Sequence, residues 1–170
     1  MSLLLTAWLL GCAADAPPTD STSVGLGPLL VELGSGEWEW EPLDDGGEVP
    51  VIQGPQGGFH LLGSVRVSGI EGGSPDNLAD PLNPTTTFSV WRDGENLAPA
   101  SRFIQGLDPA PTDAHPYRHQ MVGRFVIMSI ESDDELDGVE LELTVAVHDV
   151  NGTTTEASLQ LTAYPHPLNH

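Results

Sequence analysis

Strict alternation of apolar and polar residues is the clearest pattern in the C-terminal part of the chain. From Val139 to Val147 every second residue is valine or leucine, and the residues between are Glu, Glu, Thr and Ala. Successive side chains of a strand point to opposite faces of a sheet, so this period of two predicts a half-buried β-strand. Asn151-Gly152 follows as a turn pair, and a second alternating run covers residues 157–163. The pattern therefore predicts a C-terminal β-hairpin.

Shorter runs of the same kind predict strands in the rest of the chain. They lie at residues 29–33, 37–41, 59–67, 85–92 and 125–128. The run Phe125 to Met128 is apolar at every position, which is typical of a central strand that is buried on both faces. Pairs of Gly, Asp and Pro separate the runs, and no window of twelve residues has helical periodicity. We expect an all-β fold, an immunoglobulin-like antiparallel β-sandwich of about seven to nine strands.

Composition limits the size and the partners of the protein. The 170 residues are enough for one domain, which we place at residues 29–164, with residues 165–170 as a C-terminal tail. There are 25 acidic residues and 5 basic ones, all arginine, and the formal net charge is -20. Such a chain repels phosphate backbones and anionic headgroups, so we expect no nucleic-acid partner.

The N-terminus has the features of an export signal. Residues 1–11 are apolar and uncharged, and they are too few to span a bilayer as a helix. They end in Leu10-Gly11-Cys12, which resembles a bacterial lipobox, in which the cysteine is lipidated and becomes the mature N-terminus. Residues 12–28 are rich in Pro, Thr, Ser and Asp and predict a flexible tether. We therefore expect membrane attachment through a lipid on Cys12, and the resemblance to lipoproteins followed by Ala13 implies the outer membrane of the cell envelope.

Two segments of the domain are similar to a known group of proteins. The segments are Gln56 to His60, after the acidic turn at residues 44–47, and Asp137-Gly138 to Asn151-Gly152. Together they resemble secreted lipoproteins of myxobacteria and their relatives, a group without an established activity, over residues 29–164. The resemblance implies export and a β-rich fold, and it implies no catalytic residue.

His60 is the first candidate for a functional side chain. Two glycines precede it in Gln56-Gly57-Gly58-Phe59-His60, which indicates an unusual backbone geometry before a strand. Strand parity places His60 and Arg66 on one face, so we select His60, Gln56 and Arg66 as candidate functional residues. A ligand or proton carrier and a surface histidine that fixes the loop are both open interpretations of His60.

Metal binding is a second interpretation. His119 and Met121 would face the same way on a strand and offer soft ligands to copper. Asp133 and Asp137 lie in an acidic loop that could hold calcium, although position twelve of an EF-hand would be threonine. A solvated acidic turn is the alternative, and no cofactor is required by either segment.

No catalytic motif is present in the sequence. It lacks a Gly-x-Ser-x-Gly elbow and a His-Glu-x-x-His pair, and lipidation would occupy Cys12. Trp38 and Trp40 could form an aromatic platform for a sugar, but their spacing is also that of a core face, which we favour. We expect a non-enzymatic envelope lipoprotein that binds a surface protein or a polysaccharide. The alternatives are a metal-binding lipoprotein and an enzyme with an unrecognised site.

Overall fold

The computed structural model describes residues 26–169 and shows an all-β protein, as the alternation predicts. Seven of its eleven strands have six or more residues: β1 (Leu30–Ser35), β3 (Gly47–Gln53), β4 (Phe59–Ser68), β5 (Thr85–Arg92), β9 (His119–Met128), β10 (Glu140–His148) and β11 (Thr154–Pro165). The four short strands are β2 (Glu41–Pro42), β6 (Glu95–Asn96), β7 (Arg102–Ile104) and β8 (Asp108–Pro109). Two 3-10 helices, Thr112–Ala114 and Asp133–Leu136, complete the described elements. The predicted signal peptide, Cys12 and most of the tether lie outside the described residues.

The strands form one mixed network in the order β2-β1-β4-β3-β11-β10-β5-β6. β9 pairs with β4, β8 pairs with β9, and β7 pairs with β5. β3 connects the two halves of this network, because Gly47–Val51 pair in parallel with β11 while Ile52 and Gln53 pair with β4. All other pairings are antiparallel.

The predicted C-terminal hairpin is confirmed. β10 and β11 pair without a break from Glu140↔Thr162 to His148↔Thr154. The apolar residues of β10 that share one face are at most 1% exposed, and they are Leu141, Leu143, Val145 and Val147. The period of two therefore reports a real division between a buried and a solvent-facing side.

One hydrophobic cluster joins both halves of the network. The contact is close at Gly63 of β4, where an added Cβ would lie 3.0 Å from the Phe88 ring of β5 and 2.8 Å from Val126. Phe88 is fully buried and meets the Phe103 ring edge-on at 6.2 Å. Glycine at this position lets a large aromatic side chain pack directly on the β4 backbone.

Asp149 holds the hairpin turn to the loop after β4. Its carboxylate is 1% exposed. One oxygen accepts hydrogen bonds from the backbone N–H groups of Asn151 (2.9 Å) and Thr153 (2.8 Å), and the other accepts from that of Glu71 (3.0 Å). Burial by itself would raise the pKa of Asp149, but these donors outweigh it and the pKa is lowered. The Asn-Gly turn is therefore fixed from inside the protein as well as by its own residues.

The C-terminal residues pack against β3. The backbone N–H of His166 donates to the Val51 carbonyl at 3.0 Å, and the Asn169 amide donates to the same carbonyl at 2.8 Å. The Asn169 amide also donates to the Asp133 carboxylate at 2.6 Å, and its oxygen accepts from the backbone N–H of Gln53 at 2.9 Å. Residues 166–169 thus supply hydrogen-bond partners to backbone groups of β3, in addition to the pairing of β3 with β11.

Two expectations about individual segments are wrong. Residues 37–40 form a loop between β1 and β2, and Trp38 is 85% exposed and so lies outside the core. The run Phe125 to Met128 is not buried on both faces, because Phe125 is 49% exposed and Ile127 is 59% exposed.

Within residues 26–169, no helix has the length and apolar character needed to cross a bilayer.

Candidate functional site

A groove of about 450 Å³ lies on the outer face of β4 and β9, beside the turn that connects β3 to β4. We call it the His60 groove. Its lining residues are Gly54, Pro55, Gln56, Gly58, Phe59, His60, Phe125 and Ile127. The strand register places His60 directly opposite Ile127, and Leu62 opposite Phe125. The groove therefore combines a sheet surface with a loop wall.

The glycine-rich turn forms that loop wall. The Gly54 N–H donates to the Gly58 carbonyl at 2.7 Å, and the Gly57 N–H donates to the Gly54 carbonyl at 2.9 Å. Gly57 has a φ of +86°, a conformation that is easy only for glycine. This geometry turns the chain tightly and leaves Pro55 and Gln56 exposed at the rim. The unusual backbone predicted from the two glycines is thus a groove-forming turn.

His60 forms the floor of the groove. Its side chain is 7% exposed, and its ring centroid lies 4.5 Å from that of Phe125 with a tilt of 41°. Burial lowers the pKa of His60 below the ordinary value, and the negative charge of Glu37 partly opposes this shift. The lowered pKa favours the neutral ring, in which one nitrogen can donate and the other can accept a hydrogen bond.

The loop at residues 36–40 stands next to the groove. Its position depends on Gly123 in β9, where an added Cβ would lie 2.1 Å from the Glu37 carbonyl oxygen. The Gly123 N–H donates to the Ser64 hydroxyl at 3.0 Å, at the point where the β4–β9 register shifts. The Glu37 carbonyl therefore lies against β9 at this bulge, and the next residue, Trp38, is 85% exposed.

Arg66 lies on the same outer face but away from the groove. It is six residues from His60 along β4, which corresponds to ~20 Å. Its guanidinium lies 4.4 Å from the centre of the Trp40 ring and its Nε donates to the Gln120 side chain at 3.5 Å. Trp40 in turn covers Gly34 of β1. The structure therefore brings His60 and Gln56 together but leaves Arg66 in a separate aromatic contact.

His119 and Met121 lie two residues apart on β9, as the sequence predicts, and Asp133 and Asp137 lie at the two ends of the second 3-10 helix. Met121 is 1% exposed and belongs to the hydrophobic core, whereas His119 is half-buried with Gly72 against its ring. The pKa of His119 is lowered, mainly because the ring is buried. The negative charge of Glu71 opposes this shift, and the positive charge of Arg118 adds to it. Asp133 is 3% exposed and is held by Asn169, and Asp137 is exposed beyond the 3-10 helix. Within residues 26–169, no group of three or more His, Cys, Asp or Glu side chains could hold one ion.

The acidic loop instead has a structural arrangement. Ser132 accepts a hydrogen bond from the Asp134 backbone, and the Glu135 carboxylate accepts from the N–H groups of Glu131 (2.9 Å) and Ser132 (3.0 Å). This is a capping box at the start of the short helix. The carboxylate of Glu135 therefore serves the backbone of its own loop.

A second, shallower groove of about 410 Å³ lies on the outer face of β5, β10 and β11. Small polar side chains dominate its lining, with Thr144 paired to Ser89 on one side and to Ser158 on the other. Glu142 and Glu156 are the charged residues that line it. It has no large apolar side chain, so it offers less apolar area to a partner than the His60 groove does.

Comparison with protein-family models, with curated proteins and with solved structures finds no match to this chain.

Sequence reasoning selected His60 and Gln56 but missed the exposed side chains beside them. Phe125 and Ile127 were expected in the interior, and Trp38 was expected to pack in the core or on a sheet. The one signal in the sequence was that Phe125 to Met128 is apolar at every position, whereas an exposed face is normally polar. When such a run lies on a surface strand, its exposed apolar side chains form a patch of the kind that marks an interaction site.

Proposed function

We propose that this protein is a lipid-anchored envelope lipoprotein whose β domain binds a protein partner at the cell surface through the His60 groove, without catalysis. The observation that carries the proposal is the exposure of two large apolar side chains, Phe125 and Ile127, around a buried histidine. Exposed apolar patches mark interaction sites, and aromatic side chains are enriched at protein interfaces.

We propose that the domain has the immunoglobulin-like sandwich architecture predicted from the alternation. Three features support this. β3 changes partner from β11 to β4, one hydrophobic cluster contains residues of β4 and β5, and Phe88 of β5 packs on Gly63 of β4. In such a sandwich the His60 groove lies on a solvent-facing side of one sheet, on a rigid support. The family resemblance of residues 29–164 to secreted lipoproteins is part of the same proposal.

Binding without catalysis fits the chemistry of the groove lining. Among its described residues, His60 is the one titratable side chain, and no carboxylate, hydroxyl or thiol lines the walls. A general base needs a positioned partner group to act on a substrate. The Gln56 amide and the turn backbone offer hydrogen bonds, which suit recognition. Hydrolytic turnover by the purified full chain that is lost in His60→Gln would contradict this part of the proposal.

The groove itself is tested with the double variant Phe125→Ser/Ile127→Ser. Chemical crosslinking on intact cells of the producing bacterium, followed by purification of the full chain, is expected to recover at least tenfold less of a specific partner with this variant than with the native chain. Loss of two buried apolar anchors at an interface has effects of this size. Each side chain is about half buried, so the double variant is expected to lower the free energy of unfolding by about 1.5–3 kcal/mol, and circular dichroism establishes that it is folded.

Leu78→Ser is the matched control, because Leu78 is 74% exposed and does not line the groove. Equal recovery of the partner by all three proteins would refute the groove as the binding surface. If glycosidase treatment of the cells removes the captured material, the partner is a polysaccharide and the proposal of a protein partner is wrong.

The anchor is tested separately with Cys12→Ala. We expect this variant to lack the lipid and to be released by extraction without detergent, because a thioether-linked lipid on Cys12 is the proposed attachment. Metabolic labelling with a radioactive fatty acid followed by fractionation measures both effects. A Cys12→Ala chain that stays in the membrane fraction would refute the anchor.

A further inference from the structure

We infer that the partner binds as an extended polypeptide segment that adds a strand to the free edge of β9. The inference rests on the proposed function and names the chemistry of the partner. β4 occupies one edge of β9. On the other edge, β8 pairs with His119 and Gln120, and the Leu97 carbonyl accepts from the Ser129 N–H at 2.7 Å. Within the described chain, no strand pairs with this edge between Met121 and Met128.

This edge differs from the other outer strands in its protection against pairing. Prolines and charged side chains on an edge strand usually prevent it from pairing with another chain. β2 carries Glu41 and Pro42, and β8 carries Asp108 and Pro109. In the first half of β9, the register shift and the charge of Arg124 oppose pairing with another chain. The Arg124 guanidinium lies 5.9 Å from the centre of the Phe103 ring. From Phe125 to Met128 there is neither a proline nor a charge.

The exposed side chains of this stretch have the spacing that a strand would use. Phe125 and Ile127 are two residues apart and point to the same face, at the end of the rows Leu62–Phe125 and Ile52–His60–Ile127. A strand added to β9 would extend both rows, and its own side chains at alternate positions would pack on these two residues. We therefore expect two apolar residues in the partner, two positions apart.

The row of backbone groups identifies the occupant as a polypeptide. The free N–H and C=O groups of an edge strand repeat at the spacing of another peptide backbone, which is the basis of recognition by strand addition. The net charge of -20 favours a partner segment with neutral or basic flanks over a second copy of this chain. A polysaccharide would stack on an exposed aromatic ring such as that of Phe125 and would make no use of the edge.

A displayed library of random twelve-residue linear peptides is the probe, with the full chain immobilised. We expect enriched peptides to carry apolar residues at positions i and i+2. N-methylation at each peptide amide in turn should weaken binding at least tenfold at alternate positions, because only alternate N–H groups face β9. Fluorescence anisotropy measures these affinities. Phe125→Lys and Ile127→Lys should weaken binding by a similar factor, and Leu78→Lys should leave it unchanged.

The outcomes separate this inference from the proposed function. If no peptide is enriched, or if N-methylation has no alternating effect, strand addition is refuted. In that case the groove remains the proposed binding surface if Phe125→Ser/Ile127→Ser still recovers less partner than the native chain in the crosslinking experiment on cells. Ultracentrifugation tests whether a second copy of the chain occupies the edge. Concentration-dependent self-association that is lost in Ile127→Lys would show this and would also refute the inference. Native circular dichroism of each lysine variant establishes that it is folded.

Discussion

Asp149→Ala is expected to lower the free energy of unfolding by about 4 kcal/mol, since each buried donor left without an acceptor costs about 1–3 kcal/mol. The substitution leaves the backbone N–H groups of Glu71, Asn151 and Thr153 without their acceptor in a site where Asp149 is 1% exposed. Urea denaturation followed by circular dichroism measures the change. Two distant loops lose their connection at once, so the loss should exceed that of a typical surface substitution.

Asp149→Asn and Asp113→Ala are the matched variants for this prediction. Asparagine keeps one acceptor oxygen, so we expect an intermediate loss of about 2 kcal/mol from hydrogen bonding to a neutral group. Asp113 is exposed in the first turn of a 3-10 helix, and its replacement removes the same charge with a change below about 0.5 kcal/mol. Equal stability of Asp149→Ala and Asp113→Ala would show that the buried carboxylate does not brace the turn.

The same carboxylate makes stability depend on pH in one direction. The pKa of Asp149 is lowered in the folded protein, so the unfolded chain binds the proton more readily. Its contribution is complete above about pH 4, the ordinary range of the unfolded carboxyl, and is lost as pH falls through the lowered folded-state pKa. The stability difference between the native chain and Asp149→Asn should therefore shrink below about pH 4.

Gly123→Ala is expected to cost about 4 kcal/mol, because strain at a positive φ and overpacking against backbone each contribute roughly 1–3 kcal/mol. Gly123 has a φ of +70°, and its Cβ would lie 2.1 Å from the Glu37 carbonyl oxygen. The loop at residues 36–40 must then move away from β9, and Trp38 moves with it. Urea denaturation reports the energy, and Trp fluorescence together with peptide binding reports the displacement of the loop.

Gly138→Ala is the control that separates strain from contact. Gly138 has a φ of +71°, nearly the same as Gly123, and nothing lies within 4 Å of an added Cβ. Its replacement is expected to cost about 1 kcal/mol from the backbone conformation alone. The difference between the two alanine variants therefore measures the close approach of Glu37. Losses of the same size in both would contradict the view that Gly123 positions this loop.

The part of the site that could be predicted is the part fixed by local backbone chemistry. Adjacent glycines predicted a special conformation at residues 57–58, and Gly57 adopts a φ of +86° in the groove wall. Strand parity placed His60 and Arg66 on one face, which the register bears out. Their distance along β4 was also available from the sequence, but the contact of Arg66 with Trp40 was not, since it joins β4 to a loop that covers Gly34.

The all-β class and the C-terminal hairpin were determined by the sequence itself. Alternation of apolar and polar residues is a property of neighbouring positions, and it gives an extended strand one apolar face. The exposure of Phe125 and Ile127 was decided by the tertiary structure alone. A run that is apolar at every position predicts a strand that is covered on both faces, but the run itself does not contain the segments that would cover it. Whether the outer face is covered depends on chain segments far away in the sequence, and in this structure Phe125 and Ile127 stay half exposed there.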